Sequence, residues 1–307
     1  MEHPFFLEPE PLPLHMMPEE TVEDLQNRGL RLLQRRTGFR FGTDSVLLAA
    51  YASSFYPYAS EKSLAAVDLG AGCGAVSLLL AARLNQLRIC GIEVDPLSCE
   101  TMARNIAINR LTTRMAAMNL DIRLIAEGFW PFSHAQDGLF MVRSRSSFDL
   151  VVANPPYLRP EQSFGFAKPT GSQGEQSEHE RIETELGLDQ LLQAASRLLR
   201  PGGRLVLVHR AHRLVDVLAA LRTFRLEPKT LRLVQPLPDR RPSVFLLSAV
   251  KMGRPGGFQV ESPLIVSDLP GHIGEEAAAW YVHEPLMPRS ALFRDLILSP
   301  EYSGNED

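Results

Sequence analysis

The sequence predicts an α/β fold: a doubly wound, Rossmann-like sheet of seven strands whose last strand runs antiparallel, preceded by a short N-terminal extension. Three observations predict it. Short apolar runs alternate with stretches of helical period from Ser63 to Val250, as in parallel strands joined by helices. A glycine-rich turn, Gly70-Ala71-Gly72-Cys73-Gly74-Ala75, links the first of these runs to the first helix of the series. Pro236 to Pro242 joins the last two runs in a hairpin-like manner, which gives the sheet an antiparallel edge.

With 307 residues, 45% of them hydrophobic and 22% charged, the chain has the length and balance of a globular protein with a sizeable core. No apolar run approaches the roughly 18 residues of a membrane helix. The opening Met1-Glu2-His3-Pro4 lacks the positive start and apolar core of a secretion signal. A cytoplasmic protein with no membrane partner is expected, its oligomeric state left open. Cys73, Cys90 and Cys99 have the spacing of neither a disulfide framework nor a zinc site, so no metal is expected. Net charge is −4, yet between Arg197 and Arg254 thirteen Lys and Arg stand against Asp216, Glu227 and Asp239. A basic segment on an acidic protein is the footprint of a polyanionic partner.

Residues 1–18 hold five prolines and no helical period, which predicts an extended arm. Residues 19–62 read as an extension that forms part of a cofactor site: a short helix, a strand from Leu30 to Gln34, and a hairpin around Thr37-Gly38. Thr43 or Asp44 then caps a helix bearing Val46, Leu47, Ala50 and Tyr51. With Phe41-Gly42 ahead of it, the start of this helix suits a ligand carboxylate, because its first N–H groups lack partners. Phe41, Thr43 and Asp44 are candidates there, and for Asp44 capping and a ligand role both stay open.

The central domain spans residues 63–250. Its first strand, Ser63 to Leu69, feeds the glycine turn and a helix from Val76 to Leu84. Gly70, Gly72 and Gly74 let the backbone turn sharply and approach a ligand closely. The next strand, Arg88 to Val94, ends at Glu93, an acceptor for both hydroxyls of a ribose. Gly70-x-Gly72-x-x-Ala75 with Glu93 about 20 residues on also satisfies the dinucleotide fingerprint. Gly74, together with Asp68 placed to face a cofactor amino group, tilts the choice toward S-adenosylmethionine. A helix from Pro96 to Asn109 follows, then a strand from Asp121 to Ala126 that ends at Glu127, a candidate acceptor for the adenine amino group, with Asp121 or plain surface exposure as the competing readings. Residues 128–147 read as an insertion or an irregular helix, and 158–185 as a long loop that grips substrate. A helix from Leu186 to Leu199, a strand from Arg204 to His209, a helix from Arg213 to Thr223, and strands near Thr230 to Gln235 and Ser243 to Val250 complete the domain. His209 reads as a strand-end histidine rather than a base. The tail, 251–307, holds a strand from Pro263 to Val266 and a helix near Glu275 to Tyr281.

The chemistry is expected at Phe148-Asp149-Leu150-Val151-Val152-Ala153-Asn154-Pro155-Pro156-Tyr157. An apolar run buried on both faces stops against two prolines, which cannot donate to a sheet ladder. A rigid turn therefore sits at the carboxyl end of a strand, where open α/β sheets place ligands. An exocyclic amine conjugated to a ring is a poor nucleophile because its lone pair is delocalised. The Asn154 side-chain oxygen and the Pro155 carbonyl can accept its two N–H bonds and favour rehybridisation of the nitrogen as it attacks. Tyr157 can stack on the planar group.

With the glycine turn, Glu93, Asn154-Pro155-Pro156-Tyr157 and the last hairpin together, the chain resembles the class I S-adenosylmethionine-dependent methyltransferases of amino nitrogens. Within them it is most similar to the bacterial tRNA (adenine-N6)-methyltransferases that modify the adenine 3′ to the anticodon of valine tRNA. The likeness runs from about Glu20 to about Tyr281. Its specific pieces are Gly38 to Ala50, Asn154 to Tyr157, Arg200-Pro201-Gly202-Gly203 to Arg210, and the tail around Val250 to Gly253 and Pro263 to Val266. The resemblance implies a seven-stranded sheet, one S-adenosylmethionine, no metal, and tRNA as partner. The proline-rich arm, the longer 128–147 segment and Pro242-Ser243 depart from the pattern. A glutamine N5-methyltransferase acting on release factors shares the Asn-Pro-Pro-Tyr turn, but those enzymes usually carry a sizeable helical N-terminal domain. An NAD-binding Rossmann protein would account for the glycine turn and Glu93, and a non-enzymatic RNA-binding module for the basic segment.

Overall fold

The computed structural model describes residues 17–36, 41–57, 62–131, 145–155 and 187–281. The extension is a hairpin, β1 (Glu20–Asp24) and β2 (Arg31–Arg35), followed by α1 (Thr43–Ser53). The short helix expected before β2 is thus a strand. Gln26, Arg28 and Gly29 take positive φ (51°, 51° and 70°) and turn the chain back on itself. Leu32 and Leu33 on β2 are fully buried. The hairpin expected around Thr37-Gly38, the arm 1–16 and most of the 128–147 insertion lie outside the described residues, as do Tyr157 and the loop 158–185.

The rest of the chain follows the expected alternation. β3 (Leu64–Leu69), α2 (Ala75–Arg83), β4 (Leu87–Glu93), α3 (Pro96–Ile108), β5 (Met115–Asn119), α4 (Ile122–Glu127) and β6 (Phe148–Ala153) form the first half. α5 (Leu188–Leu198), β7 (Leu199–Arg210), α6 (Leu214–Thr223), β8 (Leu226–Gln235) and β9 (Val244–Lys251) form the second. The strands lie in the order β5-β4-β3-β6-β7-β9-β8, and β9 runs antiparallel to both its neighbours. The antiparallel edge is therefore present. An eighth strand comes from the tail: β10 (Gln259–Ile265) pairs parallel with β8. A small hairpin, β11 (Ser267–Leu269) and β12 (His272–Ile273), and α7 (Glu275–Tyr281) follow it.

One strand differs from expectation. The third strand of the first half is Met115–Asn119, and residues 122–127 are helical. Asp121 caps that helix by accepting the Arg123 N–H at 2.8 Å, while Ile122, Ile125 and Ala126 turn inward at helical spacing. Met-Ala-Ala-Met-Asn has little intrinsic strand preference; its parallel pairing with β4 imposes the strand.

Alternate residues of the central strands feed two separate cores, as a pleated strand requires. Leu150 and Val152 of β6 pack on the face covered by α1, α2, α3 and α7, with Leu47, Leu79, Met102 and Trp280. Val151 and Ala153 face α4, α5 and α6, with Ile125, Leu192 and Val217. Cutting any of these buried leucines to alanine costs about 2–5 kcal/mol. Among the described residues no helix is long and apolar enough to cross a membrane, and no group of three metal-ligating side chains is present.

Candidate active site

The site forms where strand order reverses, between β3 and β6. Leu69 is in register with Ala153, so the next residue of each strand, Gly70 and Asn154, arrive at the same point of the carboxyl edge. Asn154 is only 9% exposed and Pro155 half-buried. The structure thus brings Asn154 and Pro155, the first half of the predicted turn, to the predicted glycine loop; Pro156 and Tyr157 lie outside the described residues.

The loop is shaped for a close-lying ligand. Gly70 and Gly72 adopt positive φ (72° and 55°), and a Cβ added at either would meet no atom within 4 Å. Both glycines answer to conformation and leave that side open. Gly74 has a second reason besides its own positive φ of 89°: its Cβ would come within 2.8 Å of Met102 Cγ on α3. Beneath the loop, Gly70 and Ala71 donate to the Ile92 carbonyl at 2.9 and 3.0 Å, fixing its start on β4.

Buried carboxylates line this half. Asp68, 1% exposed, accepts the Ser77 hydroxyl from α2 at 2.7 Å. Burial pushes its carboxyl up to about 7; the Ser77 bond opposes the rise and the Glu93 charge adds to it. Glu93, 6% exposed at the end of β4, accepts the Gly72 N–H and the Asp95 N–H, both at 2.8 Å. Burial raises its pKa too, against the pull of those two N–H bonds. Each carboxylate oxygen has a second lone pair for a ligand hydroxyl.

The strand expected to end at Glu127 is a helix. Glu127 is the exposed last residue of α4, about 8 Å along the helix from Ile122, and does not end a strand. The acidic group just beyond β5 is Asp121. Its pKa is lowered: partial burial raises it, but hydrogen bonds and charge from Arg123 at 2.7–2.8 Å outweigh that.

At the start of α1 neither Thr43 nor Asp44 caps; Gly42 takes the cap position and supplies no side chain. Thr43 instead accepts the Tyr281 hydroxyl at 2.9 Å from α7, and the Phe41 N–H donates to Gln34 Oε1 on β2 at 2.9 Å. Asp44 sits half-buried in the first turn. Ser77, Gln34 and Tyr281 are supporting groups that sequence reasoning missed, because each meets its partner only through the fold.

On the far side of Asn154 the edge is basic. His209 stacks on Phe245 at 6.2 Å, and its Nδ1 accepts the Arg210 N–H at 2.9 Å. Burial drives its pKa down to about 4, with the charges of Arg213, His212 and Arg210 adding, so it stays neutral. The expectation of a strand-end histidine matches this geometry.

The relatives decide the family. An enzyme of Porphyromonas gingivalis named tRNA1(Val) (adenine(37)-N6)-methyltransferase is 32% identical over 213 residues, covering 69% of this chain and 75% of its own. The chain belongs to that family. A tRNA1(Val) (adenine(37)-N6)-methyltransferase of Shewanella loihica is 29% identical, covering 68% of this chain and 76% of its own. The TRM5/TYW2 methyltransferase domain family matches residues 57–142, the span from before β3 to beyond α4, which stops short of Asn154. Among solved structures, a protein of Agrobacterium tumefaciens described as a predicted O-methyltransferase superposes with a TM-score of 0.56 at 21% identity, covering 78% of this chain and 95% of its own. That likeness establishes the methyltransferase fold.

Proposed function

We propose that the chain transfers a methyl group from S-adenosylmethionine to the N6 amine of an adenine in tRNA, the anticodon-loop adenine of a valine tRNA. The observation that carries this is the register of β3 and β6, which sets Asn154-Pro155 beside the glycine loop. Family membership supplies the substrate class. The residues fit the cofactor: Glu93 suits a ribose, and Asp68, buried beside the glycine loop, suits a ligand bearing an ammonium charge better than the anionic pyrophosphate of NAD. S-adenosylmethionine, when bound, supplies a methyl group activated on a sulfonium.

The chain's own residues do the rest. Glu93 accepts from the ribose hydroxyls, Asp68 faces the amino group, and Asp121 stands at the adenine end. Phe41, Thr43 and Asp44 line the methionine end, where the start of α1 offers N–H groups to a carboxylate. The target base turns out of its stack, at a cost of a few kcal/mol that is least in a loop. Asn154 and Pro155 hold the amine by its two hydrogens, and Tyr157 stacks on the ring. Basic side chains beyond β7 hold phosphates and set affinity rather than sequence choice.

The test is a labelled methyl donor offered with bulk tRNA, followed by nucleoside analysis. N6-methyladenosine at the anticodon loop is the expected product. Label in a release-factor glutamine, or none in RNA, overturns the proposal.

A further inference from the structure

The N-terminal hairpin and the glycine loop share one side chain. Asn105 on α3 and Asn109, four residues on at the helix C-cap, face the outer edge of β2. Asn105 Oδ1 accepts the Leu33 N–H at 2.7 Å while its Nδ2 donates to the Leu33 carbonyl at 2.8 Å. Asn109 does the same for Arg31, at 2.9 and 2.7 Å. Four helical residues rise about 6 Å and two strand residues about 6.6 Å, so the paired amides match the strand repeat. The helix thereby acts as the missing neighbour of β2.

The two asparagines are not equivalent. Asn105 is fully buried, and its Nδ2 also donates to the Cys73 carbonyl at 2.9 Å, inside the glycine loop. The next residue of β2, Gln34, accepts the Phe41 N–H ahead of α1. One amide therefore ties the loop under the cofactor to the strand that holds the other cofactor-facing segment. We propose that Asn105 is a positioning residue for cofactor binding: it fixes the glycine loop and the Phe41–Thr43 segment in one relative placement. The proposal rests on the S-adenosylmethionine site described above.

Asn109 supplies the control, because it clamps the same strand and makes no bond to the loop. With the full chain and S-adenosylhomocysteine as probe, Asn105→Ala should weaken binding about tenfold and Asn109→Ala less than about twofold, while both lower the thermal midpoint. In turnover, Asn105→Ala should raise KM for S-adenosylmethionine and leave kcat within about twofold. Equal weakening by the two variants makes Asn105 a strand clamp only and overturns the proposal. A wild-type protein that fails to bind S-adenosylhomocysteine at all overturns the cofactor site itself, a separate outcome. Should Asn105→Ala not fold, amide exchange in the wild type decides. Ligand should slow exchange at Leu33 together with Gly72 and leave Arg31 unchanged; equal slowing at Leu33 and Arg31, or none at Leu33, overturns the proposal.

Discussion

Two halves of one sheet edge carry opposite charge in opposite settings. From β3 toward β5 the carboxyl ends present Asp68, Glu93, Asp95 and Asp121, the first three nearly buried. From β7 toward β8 they present Arg210, His212 and Arg213, then Arg240 and Arg241 in the β8–β9 hairpin, mostly exposed. Asn154 stands at the boundary. A small ligand with two cationic centres is held by carboxylates that surrender water, whereas a polyanion must be met by cations that remain at the surface. The amino edge sharpens the contrast, because several cations there are held by partners within the fold. Arg200 pairs with Asp149 at 2.6 Å, Arg222 with Glu227 at 2.9 Å, and Lys229 donates to the carbonyls of Arg254 and Gly256.

The boundary residue should give the largest effect. Asn154→Ala should lower methyl transfer at least about a hundredfold, since the proposed acceptor for the reacting nitrogen is lost, while S-adenosylhomocysteine affinity stays within a few-fold. Calorimetry beside single-turnover assays separates the two; turnover near wild type would remove Asn154 from the chemistry. Next comes the acidic half. Glu93→Ala removes the proposed acceptor for the ribose and the Gly72 N–H anchor together. It should weaken S-adenosylhomocysteine roughly 10- to 100-fold and leave tRNA affinity unchanged. If RNA binding falls equally, the two halves are not independent.

Much of this division is legible in the sequence, unevenly. The strand, turn and helix around Gly70 and the stop at Asn154-Pro155 declare themselves because glycine and proline restrict the backbone locally. Glu93 follows from counting along one βαβ unit. Glu127 misleads because Met115–Asn119 is a strand by pairing and not by preference, which displaces the acidic position to Asp121. Asn105 and Asn109 sit visibly on one helical face, yet nothing in their spacing names β2 as the partner. The basic segment Arg197–Arg254 shows as a charge excess, but only the topology sorts its arginines between the two edges.

That sorting makes the third prediction. Arg240→Glu with Arg241→Glu changes charge at the carboxyl edge; Arg225→Glu with Arg254→Glu makes the same change at the amino edge. Arg240 is 67% exposed and 3.9 Å from Asp239, a loose pair easily exchanged for a phosphate. The first double variant should weaken tRNA binding about tenfold and reduce the slope of log affinity against log salt by about 1–2 units, and the second should do neither. Equal losses would mean that total charge, and not the edge, draws the RNA.

The smallest effect tests the acidic half through pH. Asp68 is held at about 7 in the folded protein against an ordinary value of 3.8. A carboxyl raised on folding contributes stability below its unfolded pKa and loses it as pH climbs through the folded value. The free protein should therefore lose stability from this group between about pH 4 and pH 7. A cationic ligand prefers the carboxylate, so its binding expels a proton and its affinity rises through the same region. Between about pH 6 and pH 8 the gain should approach tenfold, with proton release measurable in buffers of different ionisation enthalpy. Asp68→Asn should flatten that dependence and keep the neutral-pH stability of the free protein. A pH profile unchanged by Asp68→Asn would place the titrating group elsewhere, with Glu93, whose carboxyl is also raised by burial, as the next residue to replace.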